Sequence, residues 1–481
     1  MITHRSPTFA LLLGAALAAA LCACVDRGGW QAAAQLAPAQ LTVDRTLSGA
    51  PVEAAAWPAD GWWHSFGDPQ LDALVAEAIA GSPSLTAAEA RLRAAQGQAL
   101  AVGALKLPGV ALDGQATRQR YPENYIYPPP YAGNYYNDGR VAFDLSYDID
   151  FWGRNRALLA SARSGVDAAE ADRAAARLAL AVAVVRAYVQ LDLWYALLDV
   201  AGDQLKQQTS IMELTQQRVD AGLENLARVK QSEASLAFAR AGIAAAQANV
   251  DLARNQLGAL AGAGPDRGQS LVRPHLTAPG TLALPSTLPA DLLGRRPDVA
   301  AARAQVQGAA QGIKAAEADF YPNVNLAAFA GVQSIGLDKL FEGSATAVGA
   351  TPALSLPVFN RRQLRGALEA RQAQLDASVG QYNQTLIDAV HDVADVVANW
   401  RALERESAEQ RTALAAAQRA YDLTTERYRA GLDNYLTVLS TENQLLLAQA
   451  AGAELAAQRL TFSVDLVRAL GGGYTPPAPA G

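Results

Sequence analysis

The chain has 481 residues and a formal net charge of −6. Hydrophobic residues make up 51% and charged residues 18%, which excludes general disorder and a collagen-like chain. The acidic balance gives no support to a nucleic-acid partner, which favours a basic domain. Two Cys and four His leave little material for a metal or thiol enzyme. Both Cys, Cys22 and Cys24, precede the main body, so a structural disulfide there is excluded.

The N-terminus reads as a targeting device. His4 and Arg5 form a short basic region, and Phe9 to Leu21 is an apolar run rich in Ala and Leu. A spanning helix needs about 20 residues; this shorter run fits the apolar core of a secretory signal. It ends in Leu21-Cys22-Ala23-Cys24, which resembles a bacterial lipobox with Cys24 as the lipidated residue. Val25, rather than Asp, follows, and in bacterial lipoproteins that pattern accompanies sorting to the outer membrane. The expectation is a signal peptide over 1–23 and a lipidated tether over 24–68, held by several acyl chains.

Residues 69–471 read as two copies of one pattern. Ala221-Gly222-Leu223-Glu224-Asn225 recurs 209 residues later as Ala430-Gly431-Leu432-Asp433-Asn434. Arg218 and Arg427 sit four residues before each Gly, and Val229 and Val438 follow at the same spacing. The same offset maps Leu145-Ser146 onto Leu354-Ser355. One offset holding across separate features indicates a duplication. The first repeat is expected over 69–260, with strands near 109–120 and 137–151 and a long helical hairpin over 153–260. The second is expected over 298–471, with strands near 322–333 and 345–358 and a hairpin over 361–470. Residues 261–297 read as a linker, and 472–481 as a flexible tail.

The strands alternate with period two. Val141, Phe143, Leu145, Tyr147, Ile149 and Phe151 share one side; Ala142, Asp144, Ser146, Asp148 and Asp150 share the other. A soluble sheet with one wet face gives this pattern, as does a sheet between lipid and an aqueous lumen. The helices bear on that choice. A helix of about 69 residues is on the order of 100 Å long, beyond any compact domain. The expected shape is a long tube with strands at one end and Gly turns at the other. Four strands cannot close a membrane barrel, since the smallest use about eight. Unpaired edges cannot stand in lipid, so membrane entry requires two, three or four copies of the chain.

With these features together, the chain resembles the TolC-like outer membrane factors of tripartite efflux systems, in their lipoprotein, NodT-like branch. The lipobox carries part of the resemblance. So do Tyr147-Asp148-Ile149-Asp150-Phe151-Trp152-Gly153-Arg154, Arg295-Arg296-Pro297-Asp298-Val299 with Ala316, Phe320 and Pro322 after it, and the two Gly turns. The resemblance implies a mixed α/β membrane protein: a homotrimer whose four strands per protomer form a 12-stranded outer-membrane β-barrel, continued by a periplasmic α-helical barrel. It implies passive conduction of drugs, dyes, organic toxins or metal ions. The implied partners are a periplasmic adaptor (membrane fusion) protein, an inner-membrane pump of the resistance-nodulation-division or major-facilitator type, and outer-membrane lipid. The competing function is that of a non-transport structural or peptidoglycan-associated periplasmic lipoprotein.

No catalytic residue, cofactor or metal site is expected: His64, His275 and His391 have no ligand spacing. The resemblance places adaptor docking at Gly222, Leu223, Gly431 and Leu432. Arg427 and Asp433 are aperture candidates, because a ring of replicated carboxylates attracts cations. Thr437 and Ser440 are neutral where relatives carry acidic residues, which weakens that ring. Asp144, Asp148 and Asp150 are expected to face the lumen and bias it toward cations. The Tyr- and Pro-rich stretch 121–136 reads as an external loop.

Overall fold

The computed structural model describes residues 29–37, 40–47, 57–277, 292–357 and 359–476. The expected signal peptide and Cys24 lie outside these residues. The described chain forms seven main helices and four strands: α1 (Pro69–Gly81), α2 (Pro83–Ala104), β1 (Gly109–Arg120), β2 (Tyr135–Ile149), α3 (Arg154–Asp220), α4 (Leu226–Leu260), α5 (Pro297–Ala318), β3 (Asn323–Ile335), β4 (Thr346–Ser355), α6 (Arg361–Arg429) and α7 (Tyr435–Ala469). The described residues form two compact units, one of those within 1–35, 91–169 and 302–382, the other of those within 36–90, 170–301 and 383–481.

The first unit holds one antiparallel sheet in the order β1-β2-β3-β4, so β1 and β4 are its edges. β2 starts and ends about two residues earlier than the alternation suggests. Past Ile149 the chain must turn into α3. Asp150 accepts hydrogen bonds from the backbone N–H groups of Asn155 (3.1 Å) and Arg156 (2.9 Å). Trp152 stacks on Tyr321 with centroids 4.6 Å apart and donates to the Pro322 carbonyl at 2.8 Å. Arg154 pairs with Asp319 at 2.6 Å. The Tyr147–Arg154 motif is therefore a strand-to-helix corner. The loop between β1 and β2 closes on itself: Tyr121 is buried, with Tyr127 edge-on at 4.6 Å.

Two apolar clusters of the second unit lie at repeat-equivalent places. Leu180 to Leu191 of α3 packs with Leu71, Leu74 and Val75 of α1, Leu257 of α4 and Val464 of α7. Val390 to Trp400 of α6 packs with Leu466 and Leu470. Asp68 caps α1: it accepts from Gln70 N (2.9 Å), Tyr188 OH (2.8 Å) and His275 N (2.9 Å). Burial alone would raise its pKa. The hydrogen bonds from His275, Tyr188 and Gln70 outweigh that and hold it below the ordinary value. Arg296 is 7% exposed. It pairs with Asp298 at 2.7 Å and Asp392 at 2.9 Å and donates to the Ala469 carbonyl at 3.2 Å. A buried guanidinium needs such partners, and this one ties the start of α5 to α6 and to the end of α7.

Two expectations need correction. The tether does not extend to residue 68. Trp62, Trp63 and Phe66 are buried in the core, because three large aromatics there are worth more inside than in water. Further back, Trp30 Nε1 and Ala33 N both donate to Asp376 of α6, at 2.8 and 2.9 Å. The C-terminal tail is also packed at its start: a Cβ on Gly473 would lie 2.5 Å from the Ala59 backbone. Between the repeats, Leu271 is buried and His275 and Thr277 hydrogen-bond to Asp68 and Phe66.

Candidate functional site

The duplicated turns join α3 to α4 and α6 to α7 within the second unit. A helix that stops abruptly needs a left-handed residue, and Gly adopts it without a Cβ penalty. Gly222 has φ 73° and Gly431 φ 75°. The next backbone N–H closes each turn: Leu223 N donates to the Arg218 carbonyl at 2.8 Å, Leu432 N to the Arg427 carbonyl at 2.9 Å. Asn225 and Asn434 then cap the returning helices through Arg228 N and Thr437 N. Leu223 is 66% exposed and Leu432 69%. A non-Gly residue at either Gly is disfavoured by roughly 1–2 kcal/mol.

Each turn carries an Arg-carboxylate pair. Arg218 lies 3.8 Å from Glu224, and Arg427 lies 3.3 Å from Asp433. The Asn434 backbone N–H, then Thr437 and Arg427, hold the Asp433 carboxyl below its ordinary range. Asp433 thus stays ionised, with one oxygen committed to the turn.

The sheet of the first unit has two unlike faces. The register puts Leu112 opposite Phe143, Leu145 opposite Ala328, Tyr147 opposite Leu326 and Val324 opposite Leu354. That face is apolar across all four strands, and Phe143 and Leu354 are exposed. The other face carries Asp113, Gln115, Arg140, Asp144, Asp148, Asn325 and Thr351. The carboxylates there are not an uncompensated strip. Arg140 grips Asp144 through both oxygens, at 2.5 and 2.8 Å. Asp148 accepts from Asn325 at 2.7 Å. Asp150 lies beyond the strand and caps α3. Asp144, Asp148 and Asp150, expected to bias the lumen toward cations, are thus each engaged by a partner within the chain. The signal was available: Arg140 shares the parity of Asp144.

One residue escaped the sequence reading. Glu442 is 2% exposed on α7. It occupies a core position of the helical stripe Tyr435, Val438, Leu445, all fully buried. Gln208 of α3 donates to its Oε2 at 2.5 Å, while Glu442 Oε1 and Gln208 Oε1 accept from nothing. Burial pushes its pKa up to about 7. Its repeat equivalent, Glu233, is exposed and pairs with Lys230 at 2.8 Å. A carboxylate in an apolar stripe was the available signal. Among the described residues, no cluster of His, Cys, Asp or Glu could hold a metal ion.

A family model for outer membrane efflux proteins matches residues 74–263 and 288–472. The chain belongs to that family. This outer membrane efflux protein is 39% identical to the fusaric acid resistance protein FusA of Burkholderia cepacia over 344 residues, 70% of this chain and 64% of that protein's length. It is 30% identical to the multidrug resistance outer membrane protein MdtP of Escherichia coli K12 over 453 residues, covering 92% and 91% of the two chains. Among solved structures, the outer membrane protein VceC of Vibrio cholerae superposes with TM-score 0.82 at 38% identity, covering 87% of this chain and all of that one. The efflux protein therefore resides in the outer membrane, with four strands per protomer and a periplasmic helical extension.

Glu442 gives the efflux protein a pH-dependent stability. Its folded pKa, about 7, exceeds the ordinary 4.5, so the folded state holds a proton that the unfolded state releases between those values. The contribution of Glu442 to stability is fully present below 4.5, is lost as pH rises through about 7 and then stays constant, a change on the order of 3 kcal/mol. Gln208, Tyr421 and Tyr435 are the other groups beside it. Glu442→Gln should flatten the change in denaturation midpoint between about pH 5 and pH 8. The same slope in the variant would assign the effect elsewhere.

Proposed function

We propose that the chain is one protomer of the exit duct of a tripartite efflux pump. Three copies close a 12-stranded barrel in the outer membrane, and their helices cross the periplasm toward a periplasmic adaptor and an inner-membrane pump of the resistance-nodulation-division or major-facilitator type. The duct conducts passively and catalyses nothing; the pump supplies the energy. The names of FusA and MdtP support small organic toxic compounds as cargo.

The observation that carries this reading is the sheet: one face with an apolar band across all four strands, one polar face and two open edges. Each unpaired edge group costs several kcal/mol in lipid, so the edges must meet those of other copies. A purely periplasmic rod has no use for the apolar face. Asp144 and Asp148 then face the lumen, Phe143 and Tyr147 the lipid. In outer-membrane preparations, Asp144→Cys should react with a soluble maleimide and Phe143→Cys should be protected. Equal labelling at both positions rejects the barrel orientation.

At the other functional region, the exposed Leu223 and Leu432 beside Gly222 and Gly431 support adaptor docking at the turns. Arg427 and Asp433 are the aperture candidates. Two variants separate these roles. Gly431→Val should leave the protein in the outer membrane but reduce adaptor crosslinking and efflux. Asp433→Ala should lower cation preference in planar-bilayer conductance. Wild-type crosslinking in the first or unchanged selectivity in the second removes the corresponding role.

Cys24 is proposed as the first mature residue and the site of acylation, supported by Leu21-Cys22-Ala23-Cys24. Intact-mass measurement of the membrane-extracted protein should show loss of residues 1–23 and added acyl mass. An unmodified N-terminus at another position refutes it.

A further inference from the structure

The four strands sort their charges by face. β1 and β2 carry seven charged residues, and β3 and β4 carry none. The register puts Asp113, Asp138, Arg140, Asp144 and Asp148 on the polar face. Only Arg118 and Arg120 stand on the apolar face, two cations and no anion. Both lie at the end of β1 far from α2, where the chain leads into residues 121–134.

Their height on the sheet matters. The apolar side of β2 runs from Ile149 to Gly139, ten residues that include Tyr147, Leu145, Phe143 and Val141. Ten residues extend ~34 Å along an antiparallel strand, and ~26 Å across a membrane for strands tilted by about 40°. The outward apolar band of an outer-membrane barrel is about 25 Å tall. Arg118 is opposite Asn137, the next outward row beyond Gly139. On the barrel reading, that row stands where hydrocarbon gives way to headgroups on the external side.

The surroundings of the two arginines suit a phosphate. Tyr135 is opposite Arg120, as Asn137 is opposite Arg118, and all four residues are exposed. Among the described residues, no ion pair or side-chain hydrogen bond engages Arg118 or Asn137. Arg120 donates to Glu123 at 2.9 Å and to the Gly133 carbonyl at 3.0 Å. The Glu123 pair is open to solvent, and such a pair contributes little. A guanidinium binds phosphate through two parallel N–H bonds. An amide and a phenol add further donors.

We propose that Arg118 and Arg120, with Asn137 and Tyr135, bind the phosphate groups of a phosphorylated glycolipid in the outer leaflet. The apolar rows below carry its acyl chains, and the basic row takes its headgroup. The occupant is a lipid rather than a soluble anion, because the arginines continue the surface that faces hydrocarbon. β1 is an edge strand, so the lipid sits beside the seam where the next copy's strand joins. The proposal rests on the barrel reading and names the lipid that surrounds it.

The test uses full-length protein extracted from the outer membrane and stripped of its native lipid. Native mass spectrometry follows binding of diphosphoryl lipid A and of the same lipid with its phosphates removed. The wild type should favour the phosphorylated form. Arg118→Gln should weaken that binding by about fivefold, and Arg118→Gln/Arg120→Gln by more, with the dephosphorylated lipid unaffected. Gln119→Arg adds a cation between the two on the other face and should change nothing. An increase in binding there shows attraction by net charge alone and overturns the site. Equal binding of both lipids by the wild type, a comparison that needs no variant, also overturns it. Inorganic phosphate that binds as tightly as the lipid assigns a free-anion site instead and overturns the lipid. Maleimide labelling at Phe143→Cys and Asp144→Cys keeps the two readings apart. Protection at the first and reaction at the second, with no discrimination between lipids, leaves the barrel standing and removes the phosphate site. Equal labelling removes both.

Discussion

A four-stranded sheet with open edges and an apolar band across one face is an unfinished object. Water would leave the apolar face exposed, and lipid would leave the edge N–H and C=O groups of β1 and β4 without partners. Only closure with further strands satisfies both demands. The remaining architecture follows from that constraint. β1 to β4 come in two hairpins from distant parts of the chain, and each must hand over to a helix without exposing polar backbone. The corner at Asp150, Trp152, Gly153 and Arg154 meets this need with a carboxylate cap, a stacked indole and an ion pair.

The duplication sets a second constraint. Two hairpins of nearly identical backbone must sit in one chain, yet one chain cannot give both the same neighbours. The result is a set of residue pairs with matched geometry and mismatched burial: Arg218 and Arg427, Leu214 and Leu423, Tyr435 and Leu226, Glu442 and Glu233. Where a copy faces its partner repeat, it is wholly or partly buried. Where it does not, it is a leucine or a charge left open. Glu442 is the sharpest case, since the same acid is a solvated ion-pair partner in one repeat and a neutral-favouring core group in the other.

Buried polar groups, rather than apolar area alone, bring the second unit's segments together. Asp68 gathers α1, α3 and the stretch after α4 through three hydrogen bonds. Arg296 gathers α5, α6 and the end of α7. Each of these charges is costly to bury alone and is fully engaged where it sits. Their geometry explains why short motifs around Arg296 and Tyr147 stand out in the sequence: they are joints, where spacing matters more than hydrophobicity.

Much of this was legible in the sequence because it rests on local periodicity. Alternation over 141–149 marked the two faces of β2, the offset of 209 residues marked the repeat, and Gly before a capping Asn marked both turns. These depend on backbone geometry that a few adjacent residues impose. Other features depend on residues far apart in the chain. Trp62, Trp63 and Phe66 looked like the end of a tether and became core, because α3 and α1 offered a cavity no local pattern reveals. Asp144 was placed on the lumen-facing side by its parity, but its bidentate partner Arg140 emerged only from the folded strand. Glu442 became buried because α3 supplies Gln208 across the hairpins. Neighbouring residues thus specify the elements, their faces and their duplication. Which copy of each residue is buried is settled by the folded arrangement, since burial belongs to the partner surface and not to the residue.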